Sequence, residues 1–97
     1  MNIPKQVKIG AFEWEVKAND NLMHEREERA VTRPKRLLIE IDPGTQKVAQ
    51  EESFIHEILE AICWQYNIEF ASHKELWVMS VVLHQVIKEN PEIFKEV

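Results

Sequence analysis

A periodic run of apolar residues in the second half of the chain predicts a long helix. Its members are spaced i, i+3, i+4, i+7, i+8 and i+11, which puts them on one helical face. The members of this stripe are Ile55, Ile58, Leu59, Ile62, Cys63 and Tyr66. We predict a helix over residues 48–66, and the fold must bury this stripe.

Three polar residues of this helix form the pattern His-Glu-x-x-Glu. His56 and Glu60 project within roughly 40° of each other, one turn apart, so the pair can hold one metal ion. Glu57 lies near enough to hold a water on that metal. The pattern is one residue away from the His-Glu-x-x-His motif of zinc peptidases. The pair lies on the shoulder of the apolar stripe, which favours half-buried ligands over the alternative of a solvated acidic face.

The length, composition and net charge of the chain limit the class of protein. A chain of 97 residues that is 44% hydrophobic forms one domain with one modest core. A net charge of −5 argues against general nucleic-acid binding. The single cysteine, Cys63, excludes an internal disulfide and fits a reducing compartment. Without a membrane-spanning run or a signal-peptide core, we expect a soluble cytoplasmic protein with no membrane partner.

The remaining segments predict a sheet and a second helix. Apolar and charged residues alternate over residues 6–17, with an interruption at Gly10, and this pattern indicates a β-hairpin. Residues 37–42 indicate a further strand. Residues 22–36 are predicted as a solvated edge or loop, because Pro34 disfavours a central strand. Ser72 is a suitable N-cap for a helix over residues 73–90. The predicted buried stripe of that helix is Leu76, Met79, Leu83, Val86 and Ile87.

Three runs carry a family resemblance: Ile39–Asp42, Phe54–Ile62 and Leu83–Glu92. They resemble the small phage- and prophage-encoded metallopeptidase-like proteins of the minimal zincin type, relatives of the ImmA/IrrE group. The resemblance implies an α+β domain spanning residues 1–97. In it, a small antiparallel sheet of about three strands, within residues 6–42, packs on two main helices.

The resemblance also implies a zinc site and a peptidase activity. Glu60 stands where the family commonly has a second histidine, so His73, at the start of the second helix, would take the later ligand position. The implied metal ligands are His56, Glu60 and His73. Glu57 would be the general base for hydrolysis of a peptide or protein substrate through a zinc-bound water.

Helix geometry leaves the third ligand open between His73 and His84. In strictly antiparallel helices joined by a tight turn, His73 would lie roughly 10 Å too far along the axis, and His84 would be better placed. A crossed packing, or a connector that folds back, would favour His73. We predict His73 as the third ligand, because the resemblance favours it.

Two other functions compete with the peptidase. The missing second histidine fits a catalytically inactive zincin fold that serves as an interaction or regulatory module. A basic cluster indicates an anion-binding protein, although we expect no specific nucleic-acid partner. The cluster consists of Arg26, Arg29, Arg33, Lys35 and Arg36.

Overall fold

The chain folds into an α+β structure, as the sequence predicts. The computed structural model describes residues 2–69 and 72–91, and it contains a four-stranded sheet and two main helices. The strands are β1 (Gln6–Ile9), β2 (Phe12–Ala18), β3 (Ala30–Arg33) and β4 (Leu38–Ile41). The helices are the short α1 (Leu22–Arg26), α2 (Lys47–Gln65) and α3 (His73–Glu89), with a 3-10 turn at Pro34–Arg36. Both main helices match the predicted ranges to within one residue at each end.

The sheet is mixed and has one strand more than expected. Its order is β1-β2-β4-β3, in which β2 and β4 are parallel and the other two pairs are antiparallel. The expectation of three antiparallel strands was therefore wrong in strand number and in one pairing. Leu38, Ile39 and Ile41 are buried, which suits β4 to a central position. β3 lies at the sheet edge, where the proline that follows it costs no ladder hydrogen bond.

The main core lies between the sheet and α2. Its buried members are Ile9, Trp14, Val16, Ile39, Ile41, Phe54 and Ala61. α3 packs on α2 as well, so α2 is covered from two directions. Every residue from Ser53 to Glu57 is buried in consequence. His56 and Glu57 of the motif are therefore buried, whereas Glu60 is half-buried.

The end of α2 is fixed to the β1–β2 hairpin. The side chain of Gln65 accepts a hydrogen bond from Trp14 Nε1 (2.9 Å) and donates one to the carbonyl oxygen of Ile9 (2.7 Å). Gly10 occupies the hairpin turn with φ +57°, and a Cβ there would overlap the hydroxyl of Tyr66. The hairpin and the C-terminal end of α2 are thus locked in one arrangement.

The buried face of α3 differs from the predicted stripe. Leu76, Ser80 and His84 are buried, whereas Met79 and Leu83 are 49% and 37% exposed. The stretch from Leu76 to Ile87 carries apolar residues all around the helix, so their spacing does not select one face. The small Ser80 is fully covered, and its hydroxyl donates to the carbonyl oxygen of Trp77 (2.7 Å). Neither main helix, over the part of the chain described, is long and apolar enough to cross a bilayer.

Candidate metal centre

His56, Glu60 and His73 meet at the interface of α2 and α3. Oε1 of Glu60 lies 3.7 Å from Nε2 of His56 and 3.4 Å from Nε2 of His73. One ligand atom from each of the three residues lies within 4.8 Å of the other two. The two imidazole rings are stacked, with centroids 5.8 Å apart. The three side chains therefore form a group that can hold a metal ion.

The geometry and chemistry of this group fit zinc. Two ligands about 2.0–2.1 Å from a tetrahedral ion lie about 3.4 Å apart, close to both observed separations. Two imidazoles and one carboxylate form a donor set of catalytic zinc sites, which leave a fourth position open. Nδ1 of His56, on the side of the ring away from Glu60, is buried and has no hydrogen-bond partner within the residues described, so it lacks the acceptor that the second nitrogen of a ligating histidine usually has.

Burial keeps His56 in the form that binds metals. Desolvation lowers the pKa of His56; the Glu60 carboxylate opposes this effect, and the neighbouring imidazole of His73 adds to it. The ring is therefore neutral near pH 7. A neutral imidazole is the ligating species, so metal binding at His56 requires no proton release at that pH.

Glu57 lies beside the triad in a buried position. Burial raises the pKa of its carboxyl to about 8, and the charges of Glu60 and Glu28 act in the same direction. Thr32 opposes the rise, because its hydroxyl lies 2.7 Å from Oε1 of Glu57 and donates to it. The carboxyl can therefore exchange a proton near neutral pH, as a general acid and base must.

The position at which α3 starts determines which of its histidines reaches Glu60. α3 begins level with Glu60, about one turn and a half before the end of α2. Ser72 caps α3 by accepting from the backbone N–H of Glu75 (3.1 Å). His73 is therefore the histidine beside Glu60. His84 lies instead on Glu51, with Nε2 2.7 Å from Oε1, and both residues are buried.

The triad opens into a cleft of about 660 Å³. The cleft is lined by β3, α2 and α3, together with the end of α1 and the segment that follows it. The lining residues outside the motif include Arg26, Arg29, Thr32, Ser53, Lys74 and Trp77. The cleft is large enough for several residues of an extended peptide.

Sequence reasoning missed two residues that act on the motif. Thr32 lies in the segment predicted as a solvated edge or loop, and its contact with Glu57 depends on strand pairing that no local pattern reveals. The ring of Trp77 meets that of His56 edge to face, with centroids 5.0 Å apart, and this contact between two helices is likewise absent from any local pattern. Of the basic cluster, Arg33 pairs with Glu40 (2.7 Å) and Arg26 with Glu28 (3.6 Å), so these guanidinium groups are already engaged.

Comparisons with family models, curated proteins and solved structures find no match for this chain. The class is therefore defined by the fold and the site alone: a small α+β protein with a His-Glu-His cluster suited to a metal ion.

Proposed function

We propose that this protein is a zinc-dependent peptidase of the minimal zincin type. The observation that carries the proposal is the position of Oε1 of Glu60, within 3.7 Å of Nε2 of His56 and 3.4 Å of Nε2 of His73. In this proposal those three residues hold zinc. The phage or prophage setting and the cytoplasmic location stay predictions.

The zinc ion and the residues of the chain would supply different parts of the chemistry. Zinc, when bound, makes a water more acidic and polarises a carbonyl group. The buried imidazole of His56 is neutral and provides a nitrogen donor, while Glu60 adds a negative charge. Because a carboxylate donates more charge than an imidazole would, we expect a less acidic water and modest activity.

Glu57 is the proposed general base. The pKa of the Glu57 carboxyl is about 8 in the protein without metal. A bound cation would lower this pKa, because it favours the negatively charged carboxylate. Glu57 would then take a proton from the attacking water and pass it to the leaving amine. Thr32 would position the carboxylate by donating to Oε1.

The edge strand β3 suits a peptide substrate. β3 pairs with β4 on one side, and no strand of the described chain pairs with its other side. Ala30, Val31 and Thr32 of this strand line the cleft. An extended peptide can add to such an edge through main-chain hydrogen bonds, which would lay it across the triad.

Replacing Glu57 by Gln tests the proposal. We expect cleavage of a denatured protein substrate to be lost while zinc content, measured by mass spectrometry of the metal, stays near one per chain. Glu52→Gln is the matched control, because Glu52 is on the same helix but outside the cleft. Cleavage that persists in Glu57→Gln would remove Glu57 from the mechanism, and a wild-type protein that binds no zinc would remove the function.

A specific observation favours the alternative of an inactive interaction module. Val78, Met79, Val82 and Leu83 expose apolar side chains on α3. Exposed apolar groups of this kind are typical of protein contact surfaces. The zinc measurement separates the two functions, because an interaction module that has lost its metal site would purify without zinc.

A further inference from the structure

Arg29 is held over an aromatic ring at the rim of the cleft. Its Cζ atom lies 5.3 Å from the centroid of the Trp77 ring, within the range of a cation–π contact. Its backbone is fixed as well, since the carbonyl oxygen of Arg29 accepts from the N–H of Asp42 (2.8 Å). Both constraints reduce the freedom of a long side chain that lies at the protein surface.

The same Trp77 ring packs against His56 of the triad. The guanidinium-to-ring and ring-to-ring separations are 5.3 and 5.0 Å, so the Arg29 guanidinium lies within about 10 Å of the His56 ring. An extended peptide advances roughly 3.3 Å per residue. A peptide bond at the triad would therefore place a side chain one to three residues away beside Arg29.

The hydrogen-bonding capacity of Arg29 differs from that of its neighbours. Arg26 and Arg33 each have a carboxylate within 4.0 Å, at Glu28 and Glu40 respectively. Within residues 2–69 and 72–91, no carboxylate lies that close to Arg29. Its planar set of N–H donors therefore faces the cleft without an acidic partner from the described chain.

We propose that Arg29 is a specificity-determining residue that binds a carboxylate of the substrate. This inference rests on the proposed peptidase function and names its substrate class: peptides that carry a carboxylate within about three residues of the cleaved bond. A guanidinium can bind a carboxylate through two parallel, charge-assisted hydrogen bonds, and a neutral side chain cannot form such a pair. Lys74 lines the same cleft and adds positive charge to it, against the negative charge of Glu28 in the same lining.

The carboxylate can belong to an acidic side chain or to the C-terminus of the peptide. Three hexapeptide probes of otherwise identical sequence separate these sources. The first has an internal Glu and an amidated end, the second an internal Gln and a free C-terminal carboxylate, and the third an internal Gln and an amidated end. All are titrated into the Glu57→Gln protein, so that no probe is cleaved, with and without zinc.

Nuclear magnetic resonance of the Trp77 indole N–H reports binding at the site itself, and Trp77→Phe assigns its signal. We expect at least one carboxylate probe to bind about tenfold more tightly than the neutral probe, with or without zinc. Adding Arg29→Gln should reduce this preference to less than about twofold and leave the affinity of the neutral probe unchanged. Arg36→Gln is the control, because it removes the same charge from an exposed residue outside the cleft.

Three results would overturn the role of Arg29. They are equal binding of all three probes, binding of none at millimolar concentration, and a carboxylate preference that survives Arg29→Gln. Zinc content measured on the same samples reports separately on the proposed function. A zinc-free protein that keeps the Arg29-dependent preference would contradict the peptidase and support the carboxylate site.

Discussion

Nε2 of His73 lies 3.4 Å from Oε1 of Glu60, although the two residues belong to different helices. This contact joins the first turn of α3 to the middle of α2. Because His73 is otherwise exposed, with 82% of its side chain accessible, the contact adds little to the packing of the fold. In the proposed function, His73 occupies this position to hold the ion.

Replacing His73 should weaken zinc binding without unfolding the protein. We expect His73→Ala to weaken zinc binding by at least about 100-fold, because the loss of a ligand exceeds the usual effect of altering its outer contacts. Its melting temperature in the absence of metal should stay within about 2 °C of the wild type, as for other exposed positions. Competition with a chelator measures the affinity. Equal zinc affinity in wild type and His73→Ala would remove His73 from the site.

His84→Gln provides the contrasting case. His84 pairs with Glu51 rather than with Glu60, so this substitution should leave zinc affinity within about threefold of the wild type. A loss of zinc in His84→Gln comparable with that in His73→Ala would contradict the arrangement of α3 described above.

The buried pair of Glu51 and His84 should matter for stability. The hydrogen bond from His84 lowers the pKa of Glu51, so the contribution of the carboxylate is present above its ordinary pKa of 4.5 and is lost as the pH falls. We expect His84→Ala to reduce the free energy of unfolding by about 3 kcal/mol at pH 7, with a smaller loss below pH 4.5. Urea unfolding measures both. Substitution of the exposed neighbour, Gln85→Ala, is the control. An equal loss of free energy of unfolding in Gln85→Ala would show that the pair of Glu51 and His84 makes no particular contribution to stability.

Glu57 should make the metal-free protein less stable as the pH rises. Its pKa is raised from 4.5 to about 8, so the folded state favours the protonated carboxyl. The stability that this group contributes is complete below pH 4.5 and is lost as the pH rises through about 8.

Glu57→Gln should remove that pH dependence. Above pH 8 the variant should be more stable than the wild type by up to about 5 kcal/mol, because each tenfold change in proton affinity corresponds to about 1.4 kcal/mol. Urea unfolding in the presence of a chelator, at pH 5 and pH 9, measures the difference. The exposed carboxyl Glu69→Gln should show no such gain. Identical pH slopes for Glu57→Gln and the wild type would rule out a buried protonated carboxyl.

The packing of α3 can be tested with two apolar residues of similar size. Leu76 is 4% exposed and Met79 is 49% exposed. We expect Leu76→Ala to lower the free energy of unfolding by about 3 kcal/mol and Met79→Ala by less than about 1 kcal/mol. The reverse order would favour the stripe that the spacing of apolar residues suggested.

Local spacing was enough to predict the range of α2 but not its buried face, because Phe54 and Ala61 are buried whereas Tyr66, at the end of the predicted stripe, is 54% exposed. His56, Glu57 and Glu60 share a helical region whatever the rest of the chain does, since helix geometry alone fixes their relative directions. The N-cap at Ser72 likewise depends on residues next to it in sequence.

Features that depend on distant contacts were beyond this reasoning. The parallel pairing of β2 with β4 and the edge position of β3 follow from how strands compete for the sheet, so Thr32 could not be linked to Glu57. The predicted buried face of α3 was right at Leu76 and wrong at Met79 and Leu83, because the middle of this helix is apolar on nearly every side and its packing on α2 selects the residues that are buried. The sequence favoured His73 over His84 as the third ligand only through the resemblance, and the structure shows that His73 is the histidine that contacts Glu60.

X-ray absorption at the zinc edge of the zinc-loaded protein tests the central claim most directly. The proposed site predicts one zinc per chain with a shell of light-atom ligands at about 2.0–2.2 Å that includes two imidazoles. His56→Ala and His73→Ala should each reduce the imidazole signal to one. A shell with no imidazole, or one that neither substitution changes, would contradict the site formed by His56, Glu60 and His73.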